Sequence, residues 1–208
     1  MRIAIADSVD LVLKGIQAVL SGWPEAKVVE SYQSLADLLE GLTKKTADVI
    51  LLHDRIDPDH APITAIERVQ QVAPKAKIII LGTIVDGMIV QEFFSRGIRG
   101  YLYMNDVLVD SIIPAIRIVT QDKFYLSPTA GAEHVAAIQD GRLRWQIDDE
   151  ALTVLRLLAE GKHVSQIAHH LHVAPTRIYG VRNRLRERFG ADNNEAMISR
   201  AMTEGFLP

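Results

Sequence analysis

Over the first 120 residues, short apolar and β-branched runs alternate with amphipathic stretches. The runs lie at 2–6, 27–30, 49–52, 77–81 and 100–103, and the amphipathic stretches at 11–20, 35–42, 63–72, 88–96 and 110–120. This alternation predicts five strand–helix units. Single helices between successive strands imply right-handed crossovers and a parallel sheet covered on both faces. Val49, Ile50, Leu51 and Leu52, like Ile78, Ile79, Ile80 and Leu81, form continuous apolar runs, as strands buried on both faces require. The expected class is therefore α/β, a five-stranded doubly wound parallel sheet. Chemistry in such sheets collects beyond the carboxyl ends of the strands, which draws attention to Asp7, His53, Asp54, Gly82, Thr83 and Met104. Pro114 falls inside the fifth helical stretch and should either delay that helix or bend it.

Periodicity weakens between Phe124 and Arg144, where Ser127-Pro128 and Asp140-Gly141 are turn signals, so 124–144 reads as a linker. Trp145 opens the C-terminal part, and the expected division is 1–123, linker 124–144, and 145–208. This last part is helical throughout: 149–160 closed by Gly161, 164–170, 175–189 closed by Gly190, and 194–204 closed by Gly205. A short helix at 164–171, a tight turn at 172–174 and a longer helix at 175–189 have helix-turn-helix spacing. In the longer helix Ile178, Val181, Leu185 and Phe189 mark the inner face, leaving Arg177, Tyr179, Arg182, Asn183 and Arg186 outward. Pro175 suits its first turn, where a missing N–H costs nothing.

Composition narrows the class. Of 208 residues, 48% are hydrophobic and 24% charged, the balance of an ordinary globular protein. The absence of cysteine excludes disulfides and thiolate metal sites. Residues 1–6 run straight into Asp7, without the long apolar stretch of a signal peptide or membrane span, so a cytoplasmic address and no membrane partner are expected. The net charge of −3 hides a local excess: 177–188 carries five arginines (177, 182, 184, 186 and 188) against one acid, Glu187. Clustered positive charge on one helix is the footprint of a phosphate-backbone contact, and alone it fits a solvated face equally well. His163, His169, His170 and His172 gather around the same motif. No third ligand is spaced to close a metal site, so no metal or cofactor is expected, and the histidines instead offer DNA affinity that rises below about pH 6.5.

LTVLRLLAEG at 152–161, QIA at 166–168 and RLRERFG at 184–190 make the C-terminal part similar to the LuxR-type helix-turn-helix domain of the NarL/FixJ response regulators. The resemblance implies an all-α four-helix domain whose third helix enters the major groove and whose last helix often dimerises. It places Tyr179, Gly180 and Asn183 toward the groove, with Arg177 and Arg182 on phosphates and Arg186 alongside. Asn183 has the chemistry for a bidentate bond to adenine, and Arg182 for reading guanine in place of phosphate. The family's usual Thr-Val-Lys, with a His two places on, is here Arg177-Ile178-Tyr179 and then Val181, so a target sequence does not carry over.

The N-terminal part resembles the receiver domain of the same family, flavodoxin-like in fold, through AD at 6–7, LVLKG at 11–15, DVILL at 48–52 with Arg55, GIRGYL at 97–102 and FYLSP at 124–128. Receiver chemistry needs an acidic pair for magnesium, an acceptor aspartate, a hydroxyl and a lysine at the ends of strands one, three, four and five. A hard cation wants carboxylate oxygens, and a phosphoryl group wants cation and lysine to neutralise it. Those positions here are Asp7-Ser8, His53, Gly82 with Thr83 beside it, and Met104. Only Asp7 keeps its chemistry, so aspartyl phosphorylation is not expected. Asp54 is the competing acceptor, with Asp10 lending a carboxylate, but a one-residue shift turns a side chain to the other face unless the strand bulges. His53 as a phosphate acceptor is disfavoured because imidazole is a weak magnesium partner beside oxygen ligands. Phe93, Phe94, Ser95 and Arg96 read as core plus a surface arginine rather than as a cyclic-dinucleotide motif.

The reading is a non-enzymatic, DNA-binding transcription regulator of atypical response-regulator type, acting on double-stranded DNA as a homodimer and independently of phosphorylation. A small-molecule ligand or a second response regulator are the candidate alternatives to phosphate as signal. The rival functions are a protein-interaction regulator that titrates another response regulator, and an orthodox phospho-switch using Asp54.

Overall fold

The computed structural model describes residues 1–139 and 147–207. The chain divides into two compact units, 1–139 and 140–208.

In the first unit the chain runs β1 (Arg2–Ala6), α1 (Asp10–Ser21), β2 (Val28–Tyr32), α2 (Leu35–Lys44), β3 (Val49–His53), α3 (Pro62–Val72), β4 (Lys77–Gly82), α4 (Gly87–Ser95), β5 (Gly100–Tyr103), α5 (Leu108–Val119), β6 (Tyr125–Leu126) and α6 (Pro128–Gln139). The strands form one sheet in the order β2-β1-β3-β4-β5-β6, with every neighbouring pair parallel. Alternate residues of each strand face opposite layers. One core gathers Ile3, Ile5, Val49, Leu51, Ile79, Leu81 and Leu102 with Leu13, Ile16 and Leu20 of α1 and Ile112, Ala115, Ile116 and Val119 of α5. Helix starts are fixed locally: Ser34 accepts the Asp37 N–H at 3.1 Å, and Asp86 accepts those of Met88 and Ile89 at 2.7 and 3.3 Å.

Three expectations need correction. The sheet has six strands, because Tyr125 and Leu126 add an edge strand beside β5. The stretch expected as a linker is therefore structured as far as Gln139, and its remainder at 140–144, with Trp145, lies outside the described residues. Its weak periodicity has a physical cause: α6 packs on α4 through small residues, so close that a Cβ on Gly87 would lie 2.6 Å from Ala137 Cβ and 2.9 Å from His134 Cα. Contacts of this kind leave no large apolar stripe to read. Lastly, Pro114 does not delay its helix: α5 starts at Leu108 and continues through Pro114 to Val119.

The second unit holds α7 (Asp149–Ala159), α8 (Val164–His170), α9 (Pro175–Arg188) and α10 (Asn194–Thr203). Asp148 caps α7 by accepting the Ala151 N–H at 2.7 Å, and Asn193 caps α10 through the Ala196 N–H at 2.8 Å. Gly161 ends α7 at φ 78°, a left-handed backbone that glycine adopts without a Cβ penalty. Leu152, Leu155, Ile167, Ala168, Ile178, Val181, Leu185, Phe189, Met197, Ala201 and Phe206 are all buried. Every member of the predicted inner face of α9 is among them.

Candidate functional site

At the carboxyl ends of β1, β3, β4 and β5 the residues singled out from sequence divide between two environments. Asp7 is fully buried at the end of β1; its Oδ1 accepts the Val9 N–H at 2.8 Å, and its Oδ2 has no hydrogen-bond partner among the described residues. Ser8 is exposed beside it. His53 ends β3 half-buried, and its Nδ1 accepts the Arg55 N–H at 3.2 Å, so in the neutral ring the proton sits on Nε2. Met104 follows β5 and packs against the α1/α5 core. A thioether in that core brings no charge to balance a phosphoryl group.

Asp54 is elsewhere. The strand ends at His53 in regular register with Leu81, without a bulge, and the Asp54 N–H bonds the Leu81 carbonyl at 3.1 Å. It is 6% exposed, and both carboxylate oxygens are engaged: Thr83 donates its N–H to Oδ2 at 2.7 Å, and its hydroxyl lies 3.1 and 3.0 Å from Oδ1 and Oδ2. Burial pushes the Asp54 carboxyl above its ordinary value, against the pull of the Thr83 bonds and of His53 and Arg55. His53 Nε2 stands 4.0 Å from Asp54 Oδ1. Asp54 and Thr83 thus clasp two loops together.

Gly82, at the hydroxyl position, is filled from across the sheet. The ring of Tyr101 lies where a Cβ at Gly82 would stand, and its hydroxyl donates to the Ile84 carbonyl. Tyr101 is fully buried and stacks on Phe93 with ring centroids 5.8 Å apart. Burial, then the nearby carboxylate of Asp54, raises the Tyr101 phenol far above its usual value, so it stays a neutral donor. Phe93 is core as expected, but Arg96 is not an open surface arginine: it bonds Glu92 and Glu67, each at 2.8 Å. Asp10 stands exposed as the first residue of α1.

In the second unit α8 and α9 pack against each other across a turn in which His172 adopts φ 54°. Tyr179, Gly180 and Asn183 are exposed on α9, and a Cβ on Gly180 would meet nothing within 4 Å. The arginines are less uniform than the sequence suggests. Arg177 is exposed yet forked onto Glu150 of α7, at 2.7 and 3.1 Å. Arg182 is half-buried with its guanidinium 4.9 Å above the Tyr179 ring. Arg186 turns to α10 and bonds Asn194 Oδ1 at 2.8 and 3.2 Å, which removes it from the outward set. Arg188 is internal: its side chain is 5% exposed, 3.0 Å from Glu204 and stacked on Phe189 and Phe206. Arg184, by contrast, is exposed on the Gly180–Asn183 side and has no ion-pair partner among the described residues. The spacing of Ile178, Val181 and Leu185 that fixes the inner face also turns Arg184 outward, although the sequence reading did not include it in the outward set. Among the described residues no group of three or more His, Asp or Glu side chains is placed to hold a metal ion, and no helix is long and apolar enough to cross a membrane.

The architecture is a receiver-type α/β unit and a helix-turn-helix unit. No family model matches the chain. It is 26% identical over 207 residues to the transcriptional regulatory protein UhpA of Escherichia coli (strain K12), covering 99% of this chain and 100% of that one. It is 23% identical over 207 residues to the transcriptional regulatory protein DesR of Bacillus subtilis (strain 168), covering 100% and 99%. Among solved structures, a complex of the two-component response regulator RcsB with DNA superposes with a TM-score of 0.67 at 21% identity, covering 98% of both chains. A structure of two RcsB dimers bound to two parallel DNAs gives 0.65 at 22%, again over 98% of both. The structural likenesses establish the fold, and the sequence relatives run the full length of the chain. Both sequence relatives are transcriptional regulatory proteins, and the DNA-bound structural neighbour is a two-component response regulator.

Proposed function

We propose that this protein is a DNA-binding transcriptional regulator that acts as a homodimer without aspartyl phosphorylation. The observation that carries the DNA-binding part is the outer face of α9. Tyr179, Gly180, Asn183 and Arg184 are exposed on a helix whose opposite side is locked into the core by Ile178, Val181 and Leu185. A rigid helix with a small residue at its centre and hydrogen-bonding neighbours suits close approach to base edges. DNA-bound relatives of the same fold support the same reading.

Phosphorylation independence rests on the strand ends. The residue beside Asp7 is Ser8 and not a second acid, Met104 stands where a cation is needed, and both oxygens of Asp54 are held by Thr83. A phosphoryl group on Asp54 would have to displace those bonds from a site 6% exposed.

The homodimer finds support in an apolar patch. Val9 and Leu11 at the start of α1 are 50% and 79% exposed, and Val107 and Val109 at the start of the adjoining α5 are 68% and 64%. On the other flank α6 already covers α4. Exposed apolar residues clustered on two packed helices fit a self-complementary contact.

The test combines two measurements on the full chain. Affinity for a labelled duplex should fall steeply with salt, as phosphate contacts require, and Asn183→Ala with Arg184→Ala should weaken it while the unit stays folded. Unchanged binding sinks the assignment of α9. Sedimentation and intact mass, with and without magnesium and a small phosphodonor, should give a dimer that gains no phosphate. A phosphate gain accompanied by a change of size returns the protein to the ordinary switch class.

A further inference from the structure

Helix α8 buries Val164, Ile167 and Ala168 and turns Ser165, Gln166, His169 and His170 outward. With Lys162 these four line an open hollow of about 460 Å³. His163 precedes the helix, with its N–H bonded to Gln166 Oε1 at 2.8 Å, and His172 follows it, its ring 6.5 Å from that of His169. All four imidazoles are exposed.

The charged groups nearby are few. Helices α7 and α9 pack against α8. From the α7 end comes Glu160, held by Lys162 at 3.0 Å, together with exposed Arg156. From α9 come Arg177, held by Glu150, and Arg182, stacked on Tyr179. Among the described residues none of the four imidazoles is bonded to a carboxylate, so no internal anion claims their protons.

We propose that this hollow is a second contact with the DNA backbone, in which His169 and His170 bind phosphate beside Lys162 and take up protons from solvent as they do so. The inference rests on the DNA-binding reading above. When the second helix of a helix-turn-helix enters the major groove, the first crosses the backbone, which brings the outer side of α8 against phosphates. Histidine is the side chain whose charge ordinarily changes between pH 5 and 8. An anion brought beside a neutral imidazole favours its protonated form, and a protonated imidazole favours the anion; the two are one linkage. The hollow thus makes DNA affinity a function of pH, with residues that the groove-facing set does not include.

The experiment measures anisotropy of a fluorescent duplex of arbitrary sequence with the full chain, from about pH 5.5 to about pH 8 at several salt concentrations. Lowering the pH should steepen the salt slope by about 0.9 for each histidine that gains a proton, about 1.8 for His169 and His170 together, and tighten binding about tenfold near 0.1 M salt. The double variant His169→Gln with His170→Gln should lose most of this pH response, its deficit against wild type being largest at the acid end. Circular dichroism at each pH checks that it is folded. Lys162→Gln serves as a comparator: it should lower the salt slope by about 0.9 at every pH, since its charge does not change over this range. A pH response that survives intact in the double variant overturns the proposal. Failure to bind duplex at any pH overturns instead the DNA-binding reading on which it rests.

Discussion

Gly82→Ala is a small change with a large expected effect. The new methyl group would occupy the space of the Tyr101 ring, and the ring has no room to yield within the core because Tyr101 is 0% exposed. Tyr101 must therefore leave its pocket, losing burial worth about 3 kcal/mol and a hydrogen bond to Ile84 worth about 1 kcal/mol. Partial relaxation around the site lowers the sum, so a loss of about 2–4 kcal/mol is expected for the first unit. For a unit of this size that is a fall in Tm of roughly 10 °C. Urea unfolding followed by near-ultraviolet circular dichroism reads the change. A double-mutant cycle isolates its cause: in a Tyr101→Ala background the methyl group has space, and Gly82→Ala should cost less than about 0.5 kcal/mol. Equal cost in both backgrounds, or no cost in either, would refute the idea that Gly82 exists to house Tyr101. Restoring a hydroxyl through Gly82→Ser meets the same obstacle, so the missing hydroxyl cannot be replaced by one substitution.

Single contacts carry the other expected outcomes. Asp54 has a folded pKa raised by burial, so its contribution to stability is present below its unfolded value and is lost as pH rises through the folded one. Asp54→Asn keeps an oxygen for the Thr83 N–H without the charge, and its urea midpoint should rise relative to wild type between about pH 4 and about pH 7; a gap that stays constant with pH speaks against this assignment. Arg188→Ala breaks an internal ion pair and two ring contacts and should destabilise the second unit by about 3 kcal/mol. Arg184→Ala should move stability by less than about 0.5 kcal/mol while weakening duplex binding, and thermal melts beside anisotropy separate the two arginines. Leu11→Glu with Val109→Glu should convert the dimer to monomer in sedimentation without unfolding the first unit, since both side chains are mostly exposed; a persistent dimer places the contact elsewhere.

The sequence by itself determined the strand–helix alternation, the four C-terminal helices and the inner face of α9, because burial imposes periods of two and 3.6 that survive in a one-dimensional string. It also drew attention to Asp7, His53, Asp54, Gly82, Thr83 and Met104 beyond the strand ends, and the resemblance to receiver domains singled out Asp7, His53, Gly82 and Met104 among them. Only the tertiary structure decided what those residues do. It alone revealed the edge strand β6 and the small-residue seam between α6 and α4, which carry no strong hydrophobic period. It alone paired Asp54 with Thr83 and set Tyr101 into the space above Gly82, contacts between residues 29 and 19 positions apart in the chain. The arginines of α9 make the same point. Five look alike in the string, but Glu150, Asn194 and Glu204, brought in from α7, α10 and the C-terminal turn, hold Arg177, Arg186 and Arg188 and leave Arg184 to solvent. A charge is visible in sequence, whereas its partner is chosen by packing.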